Sequence, residues 1–502
     1  MDHLKPKTYT ARFPRWMVGK RLLYASSALA SLGDAMFGYS QGIIAAAQVQ
    51  PSVQAGDTGV EPFTQAITVA CINITALLAS FGAAYVCDIL GRRMSVRIGA
   101  IIYLIAAFIQ LFSPNLAALI VGRSIQGLGV GMLSMTVPIL QCEIAPGHAR
   151  GLFVSIEYFC LNFGYAISAW VAFAFVLVVW TFFLPETPRW LIRNGFRKEG
   201  LGALADLHGT GDITDPHILA TYIEIVAAID FEETMGEATW RQLFTQYTRR
   251  SIVGITCHMF AQLNGINAIL YFLPENLTRA GFTISRSLLF SGACALIYCS
   301  GTIPTMFLIH KWGRKTFLIT GSLGLAGSLA IVGGLQFHAD SLPEGVCLYL
   351  FFFGATWGPT PWLLGAEISP LRARAKGMSL STSTNWLFNF IVAFITPPLF
   401  SAITAGYYFL LLGFCLISGA FVWLVYVETA HRTLEELGEV FGDRVMDDEK
   451  LIEEATENMR RSPSGLPADI VTSQAVDSQA TLMASIERVK TKTSSTKQLQ
   501  GD

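Results

Sequence analysis

Several apolar stretches of this 502-residue chain carry polar side chains that hydrocarbon tolerates only at a cost. Between positions 251 and 275 stand Gln262, Asn264, Asn267 and Tyr271. An amide in such a setting must be paired or must face a wet cavity. Each offers donor and acceptor together, so the set suits hydrogen bonding between helices or the lining of a polar chamber. Asn267 and Tyr271 are four apart and share a helical face. Gln262 lies five residues before Asn267, roughly 140° around a continuous helix. It joins the same face only if the helix breaks, and Gly265 is the place for a break. A second run holds Trp357, Gly358, Pro359, Pro361 and Trp362, where two prolines interrupt the ladder and make a hinge. Asn385, Trp386 and Asn389 add amides further on, and Tyr158 brings a hydroxyl to an earlier run.

Three ionisable residues also lie inside apolar runs: Asp34, Arg123 and Glu157. An unpaired arginine there costs at least a few kcal/mol, so Arg123 should have a carboxylate. Asp34 follows the basic Lys20-Arg21 by about 13 residues, about 20 Å deep at 1.5 Å per residue. Arg123 falls at a similar depth, which predicts an Asp34–Arg123 pair. Glu157 lies about 10 Å from its end of the run by the same rise, where it snorkels or joins charges at the surface.

These positions need a scaffold of long apolar helices, and the composition supplies one. Hydrophobic residues make up 52% of the chain and charged residues 14%, with a mean hydropathy of +0.47. Soluble domains carry about 25% charge, so an ordinary soluble enzyme and a disordered scaffold are excluded. The net charge of −1 gives no reason to expect a nucleic-acid partner. Nine cysteines, none in a CxxC pair, read as small apolar fillers, with no metal site and no cofactor implied.

A spanning helix needs about 20 apolar residues. Runs of that kind are expected at 22–46, 63–87, 97–113, 117–141, 251–275, 288–310, 316–336, 345–366, 379–402 and 406–427, with a further apolar region at 152–184. Basic residues concentrate in the N-terminal arm (1–21), the central loop (185–250), the tail (428–502) and alternate turns. By the positive-inside rule both termini and the central loop face the cytoplasm. The sequence also repeats. Asp88-Ile-Leu-Gly91-Arg92-Arg93 returns as His310-Lys-Trp-Gly313-Arg314-Lys315. Glu143…Pro146…Arg150 returns as Glu367…Pro370…Arg374, and Glu186-Thr187 as Glu428-Thr429. Two helical bundles, 22–184 and 251–427, follow from this, with a cargo site near the midplane between them. The stretch from Arg150 to Glu186 is shorter than its counterpart from Arg374 to Glu428. Either the fifth and sixth spans are truncated, or one is lost to leave eleven full spans, or a segment is lacking.

Taken in order, Gly38-Tyr39, DILGRR, GRSIQGLGVG, the two E-x-x-P…R turns, PETPRW, QLNGIN, WGPTPW, NWLFNF and ETAHRTLEEL resemble the sugar-porter branch of the major facilitator superfamily, and fungal hexose transporters in particular. The resemblance implies an all-α membrane protein with two pseudo-symmetric six-helix bundles rocking around a central sugar site. It implies no chemistry on the substrate, hence no enzyme. Gln262 and Asn267 would bind the sugar, Asn385 would touch it, and Trp362 could pack the apolar face of a pyranose. The family commonly has a second Gln where Ala261 stands and a sugar-binding Gln where Tyr158 stands.

The resemblance further implies a cytoplasmic gate of ion pairs drawn from Asp88, Arg92, Arg93, Glu143, Arg150, Glu186, Arg314, Glu367, Arg374 and Glu428. Breaking such a gate permits inward opening. His310 replaces the turn carboxylate of the second cluster, which predicts a weaker lock there. Proton-driven members carry an acid directly after Gly-Tyr; here Ser40 follows, while Arg123, the family's partner for that acid, remains. Two alternatives stay open: Asp34 has taken over as the titrating group and the sugar moves with a proton, or the sugar equilibrates passively. The expected cargo is a hexose-like sugar at the plasma membrane. Rival readings are a polyol, a quinate-like acid or a secondary metabolite as cargo, a non-transporting sugar sensor, or a non-functional product of the shortened region.

Overall fold

A computed structural model of the chain describes residues 18–47, 62–113, 116–146, 149–166, 184–209, 211–235, 238–279, 281–335, 342–369, 373–403, 405–430 and 441. Among these residues regular structure is helical throughout. Eight helices are long and apolar enough to cross a membrane. Large apolar side chains such as Leu78, Phe108, Leu289, Phe307, Leu323 and Leu424 are exposed along them, as a lipid-facing surface requires.

The contacts divide the chain into two compact units, one of residues 27–184 and 239–442, the other of residues 1–26, 185–238 and 443–502. The first half of the sequence contributes α1 (Lys20–Ala47), α2 (Pro62–Leu90), α3 (Arg92–Leu111), α4 (Leu116–Ile144) and α5 (Arg150–Ala166). The first four lie within a few residues of expected runs, and α5 begins the apolar region expected at 152–184. The remainder of the short region, 167–183, falls outside the described residues, and the choice between a short hairpin and a lacking segment falls there too.

The smaller unit holds α6 (Pro188–Arg193), α7 (Arg197–His208) and α8 (Pro216–Met235). The PETPRW motif does start a helix. Thr187 Oγ1 accepts from Trp190 N as its N-cap, and Pro188 takes the first turn, where its missing N–H costs nothing. Ile192, Leu201, Leu204, Leu219, Tyr222 and Val226 close a small apolar core. In the turn before α8, the hydroxyl and backbone N–H of Thr214 hold the Asp212 carboxyl below its usual range.

The second half adds α9 (Trp240–Thr245), then a span in three pieces: α10 (Thr248–Leu263), α11 (Ile266–Leu270) and α12 (Leu273–Arg279). α13 (Ile284–Trp312) and α14 (Arg314–Leu335) follow unbroken. The next span is split into α15 (Leu342–Ala355) and α16 (Pro359–Ile368), separated by the Thr356-Trp357-Gly358 turn. α17 (Arg374–Ile403) and α18 (Ala405–Val425) complete the bundle. The expected breaks at Gly265 and at the proline pair are both present. The repeat is visible in the backbone: Gly91 before α3 and Gly313 before α14 have φ of 90° and 83°, which glycine adopts without strain.

The halves meet where α2 packs along α17 and α5 along α13. Within the first half, α1 and α5 touch backbone to backbone. A Cβ on Gly38 would stand 1.8 Å from Leu161 O, and one on Gly164 would stand 2.0 Å from Ala35 O. The glycine of the Gly38-Tyr39 motif is therefore a close-packing residue. Nearly all of the tail, including a short helix expected near 448–460, falls outside the described residues, as does most of the N-terminal arm.

Candidate functional site

The break at Gly265 builds the centre of the site. Its φ of 100° lies in the left-handed region, where a side chain would be strained. The turn swings Asn267 back over the end of α10, so the two amides that a straight helix would separate meet. Asn267 Nδ2 donates to Gln262 Oε1 at 2.6 Å. Gln262 Nε2 donates to Asn385 Oδ1 at 2.8 Å, and Gln41 Nε2 to Asn267 Oδ1 at 3.3 Å. A chain of four amides thus runs from α1 through the broken span to α17. All four are buried.

This chain lines a cavity of about 430 Å³ with Phe37, Tyr158, His258, Ala261 and Trp362 among its walls. Trp362, on the helix that Pro359 restarts, stands edge-on to His258 at 4.8 Å between ring centroids. Trp357, two prolines earlier, is fully buried and donates Nε1 to Leu318 O and Ser322 Oγ, both at 3.0 Å. Both tryptophans of the motif line the cavity, but the Trp357 indole N–H is already spent on α14. Tyr158 lines it too, with its hydroxyl bonded to that of Tyr298.

Tyr271 shares Asn267's side, since Gln41 Nε2 also reaches its hydroxyl at 3.3 Å. It packs with Ile44, Val69, Ala70 and Ala393, behind the amides and outside the cavity wall. Asn264 turns the other way: its Oδ1 accepts from Ser418 Oγ and its backbone O from Tyr349 Oη. Asn389 receives a hydrogen bond from Asn73 Nδ2 at 3.1 Å and joins α2 to α17. These two are structural amides.

Gln41 and His258 are among the cavity residues that escaped the sequence reading. Gln41 sits three residues after Gly38. His258, four residues before Gln262, shares its helical face, a spacing that could have identified it. Its Nδ1 faces Asn385 Oδ1 at 3.5 Å, and its Nε2 is buried with no hydrogen-bond partner.

The expected pairing of Asp34 with Arg123 is not made. Arg123, 3% exposed, donates Nε to Thr68 O at 2.9 Å and lies among Tyr103 and Tyr271. Ser40 belongs to that neighbourhood: it is close to Tyr103 and donates Oγ to Phe37 O at 2.8 Å. The side-chain neighbour of Asp34 is instead Glu157 on α5. Neither depth nor azimuth matches: Gly33 packs on Leu133 and Val137, which puts Asp34 about 15 Å along α4 from Arg123 at 1.5 Å per residue. Asp34 is turned toward α5, whereas Arg123 is turned toward α2.

The charged residues expected to form a gate fall into two clusters. Arg92 Nη2 pairs with Glu143 Oε1 at 2.8 Å, with Asp88 Oδ1 3.6 Å from Nη1, and Nη1 also donates to Cys87 O at 3.2 Å. Arg93 Nη1 reaches Leu184 O at 3.5 Å. In the second half, Arg314 grips Glu367 with Nε at 3.1 Å and Nη2 at 2.7 Å. Glu428 does not pair with a guanidinium there. It accepts the backbone N–H groups of Arg314 and Lys315 at 2.8 and 3.0 Å and so caps α14. Glu186 accepts Thr187 N at 3.1 Å. Arg150 and Arg374 open α5 and α17, and Cys142 lies in electrostatic reach of both, and of Glu143 and Glu367. Charges of the two halves therefore converge on the end of α4.

Comparison with known proteins places this geometry. The sugar (and other) transporter family pattern matches residues 26–177 and 171–441. A probable glucose transporter, rco-3 of Neurospora crassa, is 31% identical over 77% of this chain and 72% of its own length. High-affinity glucose transporter 1 of Candida albicans is 29% identical over 76% of this chain and 78% of its own. A solved structure of the proton:xylose symporter XylE bound to 6-bromo-6-deoxy-D-glucose superposes with a TM-score of 0.73 at 24% identity, over 84% of this chain and 99% of that one. Helical spans, internal repeat and central amide-lined cavity agree with these matches: the chain belongs to the sugar (and other) transporter family and is a multi-pass membrane carrier.

Proposed function

We propose that the chain carries a hexose-class sugar across the plasma membrane by alternating access, with both termini in the cytoplasm. The observation that carries this reading is the amide chain Gln41–Asn267–Gln262–Asn385 lining a cavity walled by Trp362. A pyranose presents hydroxyls around its rim and apolar C–H groups on its faces. Amides satisfy the rim because each both donates and accepts, and an indole covers a face. The relatives named as glucose transporters and the superposed xylose symporter support the substrate class.

The cytoplasmic clusters serve as the gate. While Arg92–Glu143 and Arg314–Glu367 hold, that end is closed; cargo binding shifts the balance of two states only by binding them unequally. The buried imidazole of His258, a cavity-wall residue whose Nε2 has no hydrogen-bond partner, favours a second reading in which the cargo is an acidic polyol.

The test is counterflow of radiolabelled D-glucose in liposomes holding the full chain, with unlabelled D-glucose, D-xylose, inositol and quinate as competitors. Saturable counterflow suppressed most by the hexose is the expected outcome. Suppression by quinate alone favours the second reading, and no counterflow of any solute rejects carriage.

A further inference from the structure

Resting on the carrier reading, we propose that Asp34 and Glu157 together bind one proton and that this pair is where proton movement is coupled to sugar movement. Both side chains are 4% exposed and come from different helices, α1 and α5. The glycine-mediated contact of those helices brings the two carboxyl groups within hydrogen-bonding reach of each other. Asp34 Oδ2 and Glu157 Oε2 find no donor elsewhere in the protein. Two anions this close in a water-poor interior repel strongly, and one proton held between them removes the repulsion and supplies the donor. Such a pair titrates as a unit.

Among the described residues, the charged and titratable groups around the pair offer no cation to replace that proton. Phe37, Ser134, Val154, Tyr158, Leu161 and Trp362 complete the pocket that holds the two acids, a space of about 260 Å³. From α5, Tyr158 faces the pair, with its hydroxyl tied to Tyr298 of α13, and Cys160 is in electrostatic reach of Asp34. From α4, Cys142 is in reach of Glu157, while the Arg123 guanidinium is spent on Thr68 O. Cys299 of α13 lies beyond Cys160. On α16, Glu367 is held by Arg314, and His258 of α10 stands on the far side of Trp362.

The pocket has a route to the cargo. Phe37, Tyr158, Leu161 and Trp362 line both it and the amide cavity. Trp362 stands between the two spaces on α16, a helix already broken from α15 at Thr356-Trp357-Gly358. A sugar resting on Trp362 and Tyr158 therefore bears on the same side chains that cover the acid pair. Cargo occupancy and proton access are thereby linked, which is the requirement for symport.

The experiment places the full chain in liposomes and follows D-glucose counterflow and, with a pH dye outside, sugar-driven alkalinisation. The wild-type carrier is expected to take up one proton with each sugar. Glu157→Gln still exchanges labelled glucose but no longer alkalinises the medium, and Asp34→Asn, an independent variant on the other helix, does the same. Glu157→Asp, which keeps the acid, restores proton movement. Wild-type counterflow without alkalinisation overturns the proposal, because the shared proton is then static. So does either neutral variant that moves protons as the wild type does. A wild-type chain with no counterflow removes the carrier reading first, and the proposal with it.

Discussion

The two charged clusters share one repeated motif but are wired differently. In the first half, Arg92 divides its donors among Glu143, Asp88 and the Cys87 carbonyl. In the second, Arg314 commits two nitrogens to the single carboxylate of Glu367. The sequence, with His310 in place of the turn carboxylate, suggested a weaker second lock. The geometry shows how that loss is met. A forked arginine–carboxylate pair is the stronger and more directional form of the bond, and Glu428 anchors the start of α14 through backbone N–H groups. The first cluster has redundancy, whereas the second depends on one contact.

That contrast sets the order of expected effects. Glu367→Gln should be the most damaging, since it strands the buried Arg314 and costs about 3–5 kcal/mol. Thermal unfolding of the detergent-solubilised carrier, compared with wild type, checks it. Glu143→Gln should cost less, about 1–3 kcal/mol, because Arg92 keeps Asp88 and Cys87 O. Equal losses for the two glutamines would erase the asymmetry. Glu428→Ala removes a cap from α14 and should cost about 0.5–2 kcal/mol, measured the same way. Asp88→Asn should be mildest, below about 1 kcal/mol, since its side chain is partly exposed and sits 3.6 Å from the arginine. An Asp88→Asn loss exceeding that of Glu143→Gln would reverse the roles assigned within the first cluster.

Much of this arrangement could be read from residue order because apolar length and punctuation are local signals. The expected span at 288–310 is α13, and that at 379–402 is α17, each to within a few residues at either end. Gly265 and the Pro359/Pro361 pair announced the two broken helices, and the repeat announced the matching turns at Gly91 and Gly313. What could not be read was azimuth. Depth was misjudged as well: Gly33 packs on Leu133 and Val137, well along α4 from Arg123, and a helix that packs through Gly38 and Ala35 turns Asp34 toward α5 and Glu157. Asn389 and Asn264 could not be told from Asn267 by type, since pairing partners on α2 and α18 decide which amides are spent on structure. His258 was missed because a single imidazole in an apolar run carries no signal until its neighbour four residues on is known to face the cavity.

The amide chain is the centre of the account, and Asn267 is the residue that joins its two ends. D-glucose counterflow by Asn267→Ala, compared with wild type in the same liposomes, tests it most directly. Loss of the bonds to Gln41 and Gln262 should raise the half-saturating glucose concentration about tenfold, the equivalent of roughly 1.4 kcal/mol, with the maximal rate per inserted carrier retained. An Asn267→Ala carrier with wild-type half-saturation would contradict the placement of the sugar among these amides.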